Sequence, residues 1–172
     1  MYGRHIHLPG PVKGPLRVWR VISGGQTGAD RGALEAAIEL GIEHGGHCPS
    51  GRRAEDGRIP DRFRLVETES ADYAVRTERN VLGADGTLLV TRGAPTGGSA
   101  LTAGLARKHN RPLLHVDLDA RSDYAEAVRE WLASREIRCL NVAGPRESSC
   151  PGIAQDVRAL LLAVLVADQR GD

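Results

Sequence analysis

Short apolar runs alternate along this chain with segments whose apolar residues recur at helical spacing. Strand-like runs lie at residues 17–23, 42–47, 64–68, 87–91, 112–116 and 137–142. The run 87–91 is apolar or β-branched on both sides of the two-residue alternation and reads as a fully buried strand. Helical patterns fill the gaps. Residues 29–40 place Leu34, Ala37 and Ile38 on one inward face and stop at Gly41. Residues 71–82 end at Gly83, and 98–109 turn Leu101 and Leu105 inward. Residues 122–134 carry Tyr124, Val128 and Trp131 at i, i+4 and i+7. A last helix begins at Pro151, a favoured first position, and buries Ile153, Val157, Leu160, Leu161 and Val164. This alternation predicts an α/β fold, a mainly parallel sheet with helices on both faces.

No composition break divides the chain, so one domain over residues 17–170 is expected, preceded by a loose extension at 1–16. That extension lacks the apolar core of a signal peptide, and no apolar run is long enough to cross a bilayer. A net charge of +1 over 172 residues gives no field for nucleic acid or anionic membranes. Aromatics at 3% leave no stacking platform for single strands. Cys48, Cys139 and Cys150 match no zinc spacing, which predicts free thiols and a cytoplasmic location.

Three glycine-bearing loops follow strand-like runs. They are Ser23-Gly24-Gly25-Gln26-Thr27-Gly28, Ala94-Pro95-Thr96-Gly97-Gly98-Ser99 and Gly144-Pro145-Arg146-Glu147-Ser148-Ser149. Glycine lets backbone N–H groups approach a ligand, and a helix start adds partial positive charge. In a parallel sheet such loops share the carboxyl end, where ligands bind. Together they predict a pocket for a small phosphorylated molecule. The first loop lacks the Lys-Ser/Thr of a phosphate-binding loop. It also has Ser23 at the first glycine position of the dinucleotide fingerprint, and Gly45, Gly46, His47 and Cys48 stand where a ribose-binding acid belongs, so no NAD is expected.

Longer motifs carry a resemblance. Gly24 through Leu34, His44-Gly45-Gly46, Cys48-Pro49-Ser50-Gly51-Arg52-Arg53-Ala54-Glu55-Asp56-Gly57, Tyr73 with Arg76-Thr77 and Asn80, Thr96-Gly97-Gly98 and Asn141 through Ser148 occur in order. The chain resembles, over about residues 18–165, the molybdenum carrier family. That family sits within the wider Rossmann-like group of lysine-decarboxylase-like proteins and cytokinin-activating phosphoribohydrolases. The resemblance implies a Rossmann-like three-layer sandwich, a homo-oligomer (dimer or tetramer), and molybdenum cofactor, a phosphorylated pterin, as ligand. It implies a carrier rather than a catalyst. The enzymes of the wider group resemble Pro-Gly-Gly-x-Gly-Thr-x-x-Glu at their active loop, and here Ala100, Leu101 and Gly104 replace the last Gly, Thr and Glu.

The residues expected to hold the ligand are Gly24, Gly25, Gln26, Thr27 and Gly28 in the first loop, with Arg52 and Arg53 as forked donors to an anion. Tyr73, Thr77 and Asn80, at i, i+4 and i+7, give the next helix a polar face that suits a pocket wall. Thr96, Gly97, Gly98 and Ser99 form a second donor nest, and Arg146 and Ser148 join from the third loop. Asp30 fits a structural tether of the first helical turn. No dedicated metal site is visible, although His44, His47 and Cys48 lie close in sequence. The alternative is a hydrolase-type enzyme acting on a nucleotide or phosphosugar through Glu55, Asp56 or Glu78.

Overall fold

The computed structural model describes residues 16–120 and 122–165. Residues 1–15 of the expected extension and 166–170 of the expected domain lie outside them. The chain runs β1 (Arg20–Ile22), α1 (Ala29–Leu40), β2 (Glu43–Gly45), β3 (His47–Cys48), a 3₁₀ turn (Ser50–Arg52), β4 (Arg53–Ala54), β5 (Gly57–Arg58) and β6 (Val66–Glu67). It continues with α2 (Tyr73–Gly83), β7 (Gly86–Thr91), α3 (Gly97–Lys108), β8 (Leu113–Asp117), α4 (Tyr124–Ser134), β9 (Cys139–Ala143) and α5 (Ile153–Leu165).

Five strands form one parallel sheet in the order β2-β1-β9-β7-β8. Chain chirality then sets the layers. A right-handed crossover from β1 to β2 runs one way across the sheet, and that from β7 to β8 runs the other way, so α1 and α3 fall on opposite faces. The β8-to-β9 step runs in the β1-to-β2 direction, and α4 packs with α5 and α5 with α1 on that face. The long step from β2 to β7 runs the other way, and α2 packs beside α3. The result is the expected Rossmann-like three-layer arrangement.

The main core lies under α1, α4 and α5, where Val21, Leu88, Val90, Leu140 and Val142 meet Ala33, Ala37, Leu132, Val157 and Leu161. A smaller cluster of Val81, Leu105 and Ala106 packs on the α2–α3 side. Gly41 ends α1 in the left-handed conformation, its N–H bonded back to Ala37 and Ile38. Two inward assignments are corrected: Ile38 is 40% and Leu101 39% exposed, because neighbouring alanines, not these longer side chains, fit against the sheet.

The strand expected at 42–47 is broken at Gly46, whose φ of +119° turns the chain out of the central sheet. Beyond the break, β3 pairs with β6. The polar stretch 48–62 holds an antiparallel hairpin of β4 and β5. It encloses its own small core of Leu34, Cys48, Ile59 and Phe63.

Candidate functional site

A cleft of about 310 Å³ opens at the carboxyl ends of β1, β9 and β7. Its wall of helix is α2, with Tyr73, Arg76, Thr77 and Asn80; its other flank is the start of α3, with Thr96, Gly97, Gly98, Ser99, Leu101 and Thr102. The floor is Gly24, Gln26 and Asp30 after β1, and Asn141 through Arg146 with Ser149 around the end of β9. The position follows from the topology, since β9 leads to a helix on one face and β7 to a helix on the other, and the chain diverges between them.

The three loops meet, but they do different things. In the first loop most of the backbone is turned inward on the protein. The Gly24 carbonyl accepts from the Arg76 guanidinium at 2.6 Å. A side chain at Gly25 would run into Leu65 and Ile59, and one at Gly28 into the backbone of Pro145 to Glu147. The amide of Gln26 donates to Asp30, that of Thr27 to the Gln26 side chain, and that of Ala29 to the Pro145 carbonyl. Gly25 and Gly28 thus admit the protein's own residues, and Gly24 admits the Arg76 side chain. Of the first-loop residues expected to hold the ligand, only Gly24 and Gln26 border the cleft.

The second loop is open. A Cβ at Gly97 or Gly98 would meet nothing within 4 Å, and the Thr96 side chain makes no cap to α3. The start of α3 borders the cleft, bringing the helix's partial positive end to it; the Ser99 and Ala100 amides turn back on the Thr96 carbonyl. The third loop adds Arg146, half exposed. Ser148 does not border the cleft; its hydroxyl donates to Glu55 at 2.5 Å.

On α2, Asn80 spans β3 by accepting from the His47 amide at 2.7 Å and donating to its carbonyl at 3.0 Å. Thr77 donates to the Tyr73 carbonyl. The Tyr73 ring has the Arg76 guanidinium 5.4 Å and the Arg53 guanidinium 5.7 Å from its centre. Arg76 and Asp30, both buried, stand 3.5 Å apart. Burial lifts the Asp30 carboxyl above its ordinary value, against the opposing pull of Arg76. Asp30 is tied to Gln26 and to Arg76, the tether expected from sequence, and it also borders the cleft.

Other assignments move away from the cleft. Arg52 is buried under the hairpin and donates to the carbonyls of Ile59, Pro60, Phe63 and Leu65, with the Asp61 carboxylate 3.8 Å from its Nε, so its fork is spent within the protein and away from the cleft. Glu55 accepts from Thr27 and Ser148, whose hydroxyls hold its carboxyl below the ordinary value. It latches the hairpin to the first and third loops. Asp56 takes both arms of Arg31, at 2.5 and 2.8 Å. Glu78 bonds His109 at 2.6 Å. None of these three carboxylates borders the cleft. Among the described residues no three His, Cys, Asp or Glu side chains are grouped to hold a metal; His44 accepts from the Arg64 amide, and Cys48 is a buried free thiol.

One polar atom of the cleft residues is left over. The Gln26 amide oxygen accepts from Thr27 and Glu55, while its nitrogen is buried without a partner, at a cost of about 1–3 kcal/mol.

Residues 21–165 match the model of the circularly permutated YpsA SLOG family. The chain belongs to that family. A solved structure from Syntrophus aciditrophicus SB, bearing the name "Putative molybdenum carrier protein", is similar to it at a TM-score of 0.86. That protein is 46% identical, and the match covers 89% of this chain and 98% of that one. No curated protein matches the chain. In this SLOG chain no helix among the described residues is long and apolar enough to cross a membrane.

The cleft also contains residues that sequence reasoning did not assign to it: Arg76, Asn141, Thr102 and Ser149. Arg76 was within reach, since it lies three residues past Tyr73 and four before Asn80 on the same helical stripe. Asn141 was not, because it is buried in β9 and donates to Thr87 at 3.1 Å; only the strand order brings it under the cleft.

Proposed function

We propose that this protein binds and carries molybdenum cofactor, or a related phosphorylated pterin or nucleotide, in the cleft at the ends of β1, β9 and β7. The observation that carries the proposal is the open start of α3. The Gly97 and Gly98 backbone is unobstructed, the helix end is uncapped by its own side chain, and Arg146 and the buried Arg76 border the same space. A phosphate there gains amide hydrogen bonds, the helix field and guanidinium charge together. The name of the structure from Syntrophus aciditrophicus supports a molybdenum-related cargo. A carrier role agrees with a cleft whose bordering carboxylate, Asp30, is already engaged by Arg76 and Gln26. Free thiols at Cys48, Cys139 and Cys150 suit the cytoplasm. Homo-oligomerisation is part of the proposal and is checked by light scattering.

The test is incubation of the purified protein with released molybdenum cofactor. Stoichiometric co-elution of molybdenum, with protection of cofactor activity against loss, is the expected result. Absence of both rejects the carrier reading.

A further inference from the structure

We infer that Gln26 reads the uncharged end of the ligand, its Nε2 donating to an oxo group on a heterocycle whose phosphate sits at the start of α3. This rests on the anion site proposed above and adds the class of ring.

Gln26 borders the cleft and is 7% exposed. Its Oε1 accepts from the Thr27 amide at 3.0 Å and the Glu55 amide at 2.9 Å, and neither of those residues borders the cleft. Two N–H donors on one branch fix which way round the amide lies, because a reversed amide would set its own donors against them. The nitrogen occupies the other branch. It is closed to bulk solvent and has no partner in the protein. The described residues contain two other such atoms, the Nε of Arg20 and of Arg129, and both belong to residues away from the cleft. Asp30 does not relieve it: that carboxylate takes the Gln26 backbone amide at 3.2 Å and stands 3.5 Å from Arg76. A small shift of the Gln26 side chain toward the cleft, with Oε1 still held, lets a ligand acceptor reach the nitrogen and satisfy it.

The distance across the sheet sets the ligand's length. Gln26 follows β1 and α3 follows β7, with β9 between, so two strand spacings, about 9–10 Å, separate the poles. A nucleoside or pterin monophosphate reaches both; a pentose phosphate reaches one. Leu101 and Ala143 give the intervening space an apolar lining for a flat ring. The end group must accept. An oxo oxygen, as on guanine or a pterin, pairs with an amide N–H, whereas the amino group of adenine meets it donor to donor.

The experiment is calorimetric titration of the full chain with ribose 5-phosphate, AMP and GMP. GMP is expected to bind about tenfold tighter than the other two, the worth of one added hydrogen bond. Gln26→Glu keeps the oxygen facing Thr27 and Glu55 and replaces the free donor by an acceptor. It is expected to erase the GMP preference over ribose 5-phosphate. Equal affinity for AMP and GMP, or an unchanged preference in Gln26→Glu, overturns the inference and leaves the anion site standing. If none of the three binds, the inference falls, and the co-elution test above decides the anion site by itself. Should Gln26→Glu fail to fold, the wild-type ratio of GMP to AMP decides alone.

Discussion

Replacing Gly28 by alanine tests how tightly the first and third loops are locked together. Two penalties meet at this residue. Its φ of +81° and ψ of −130° lie where a side chain is strained, costing about 1–3 kcal/mol. A Cβ would also stand 2.6 Å from the Glu147 amide nitrogen and 2.7 Å from the Arg146 carbonyl carbon, both backbone and neither able to swing away. Such overpacking costs a further 1–3 kcal/mol, roughly. The sum, about 2–6 kcal/mol, is a large part of the stability of a domain this size. Two other glycines separate the penalties. Gly51 has φ +79° with nothing within 4 Å, so Gly51→Ala reports strain alone, about 1 kcal/mol. Gly32 is helical but would press on the Ala154 carbonyl, so Gly32→Ala reports overpacking less the gain in helix propensity, about 1–2 kcal/mol net. Urea denaturation of the three variants at constant m-value measures all of them. If Gly28→Ala costs no more than Gly51→Ala, the backbone contact between the loops is not what holds them, and the account of why the first loop is glycine-rich is refuted.

Gly98→Glu is expected to leave the denaturation midpoint unchanged or slightly raised, because the position is open and a negative charge suits a helix start; it should weaken ribose 5-phosphate binding about tenfold or more by calorimetry. Arg52→Lys should do the reverse, destabilising by about 1–3 kcal/mol through lost carbonyl contacts while phosphate affinity stays within twofold. The pH profile carries two opposed contributions. Glu55, Asp56, Asp61, Glu69 and Asp117 are all held below their ordinary values, so their stabilisation is present at neutral pH and is lost as pH falls through their folded values. Asp30 is raised above 3.8, so its contribution grows as pH falls through its folded value. Urea midpoints from pH 7 to 3 should rise slightly and then drop, and Asp30→Asn should lack the rise.

Much of the fold was legible because local rules agreed with it. The helical run ending at Gly41, the buried 87–91 and the apolar spacing from Ile153 to Val164 each carry their own periodicity or cap, and the elements formed close to where those signals lie; Pro151, expected as the first helical position, stays outside α5, which starts at Ile153 after Gly152 takes a φ of +91°. Strand order carries no such local mark. Nothing in residues 139–143 announces that they enter the centre of the sheet. The glycine loops were ambiguous for a related reason: a glycine that lets a ligand approach and one that lets the chain approach itself look alike in sequence. Gly97 and Gly98 stand clear, whereas Gly25 and Gly28 are filled by Ile59, Leu65 and the third loop. Arg52 misleads similarly, since a guanidinium can fork onto four carbonyls as readily as onto a phosphate. The stripe of Tyr73, Thr77 and Asn80 was readable as a wall from spacing, but the bonds that commit Asn80 to His47 depend on where β3 comes to rest.

Because β9 is flanked by β1 and β7 yet emerges after every other strand, a chain still on the ribosome holds two unjoined ribbons, β1–β2 and β7–β8. Their seam is where the guest would sit. The cleft is therefore incomplete until β9 joins the two ribbons, and a product truncated before residue 139 would lack the part of its floor that Asn141, Val142 and Ala143 supply.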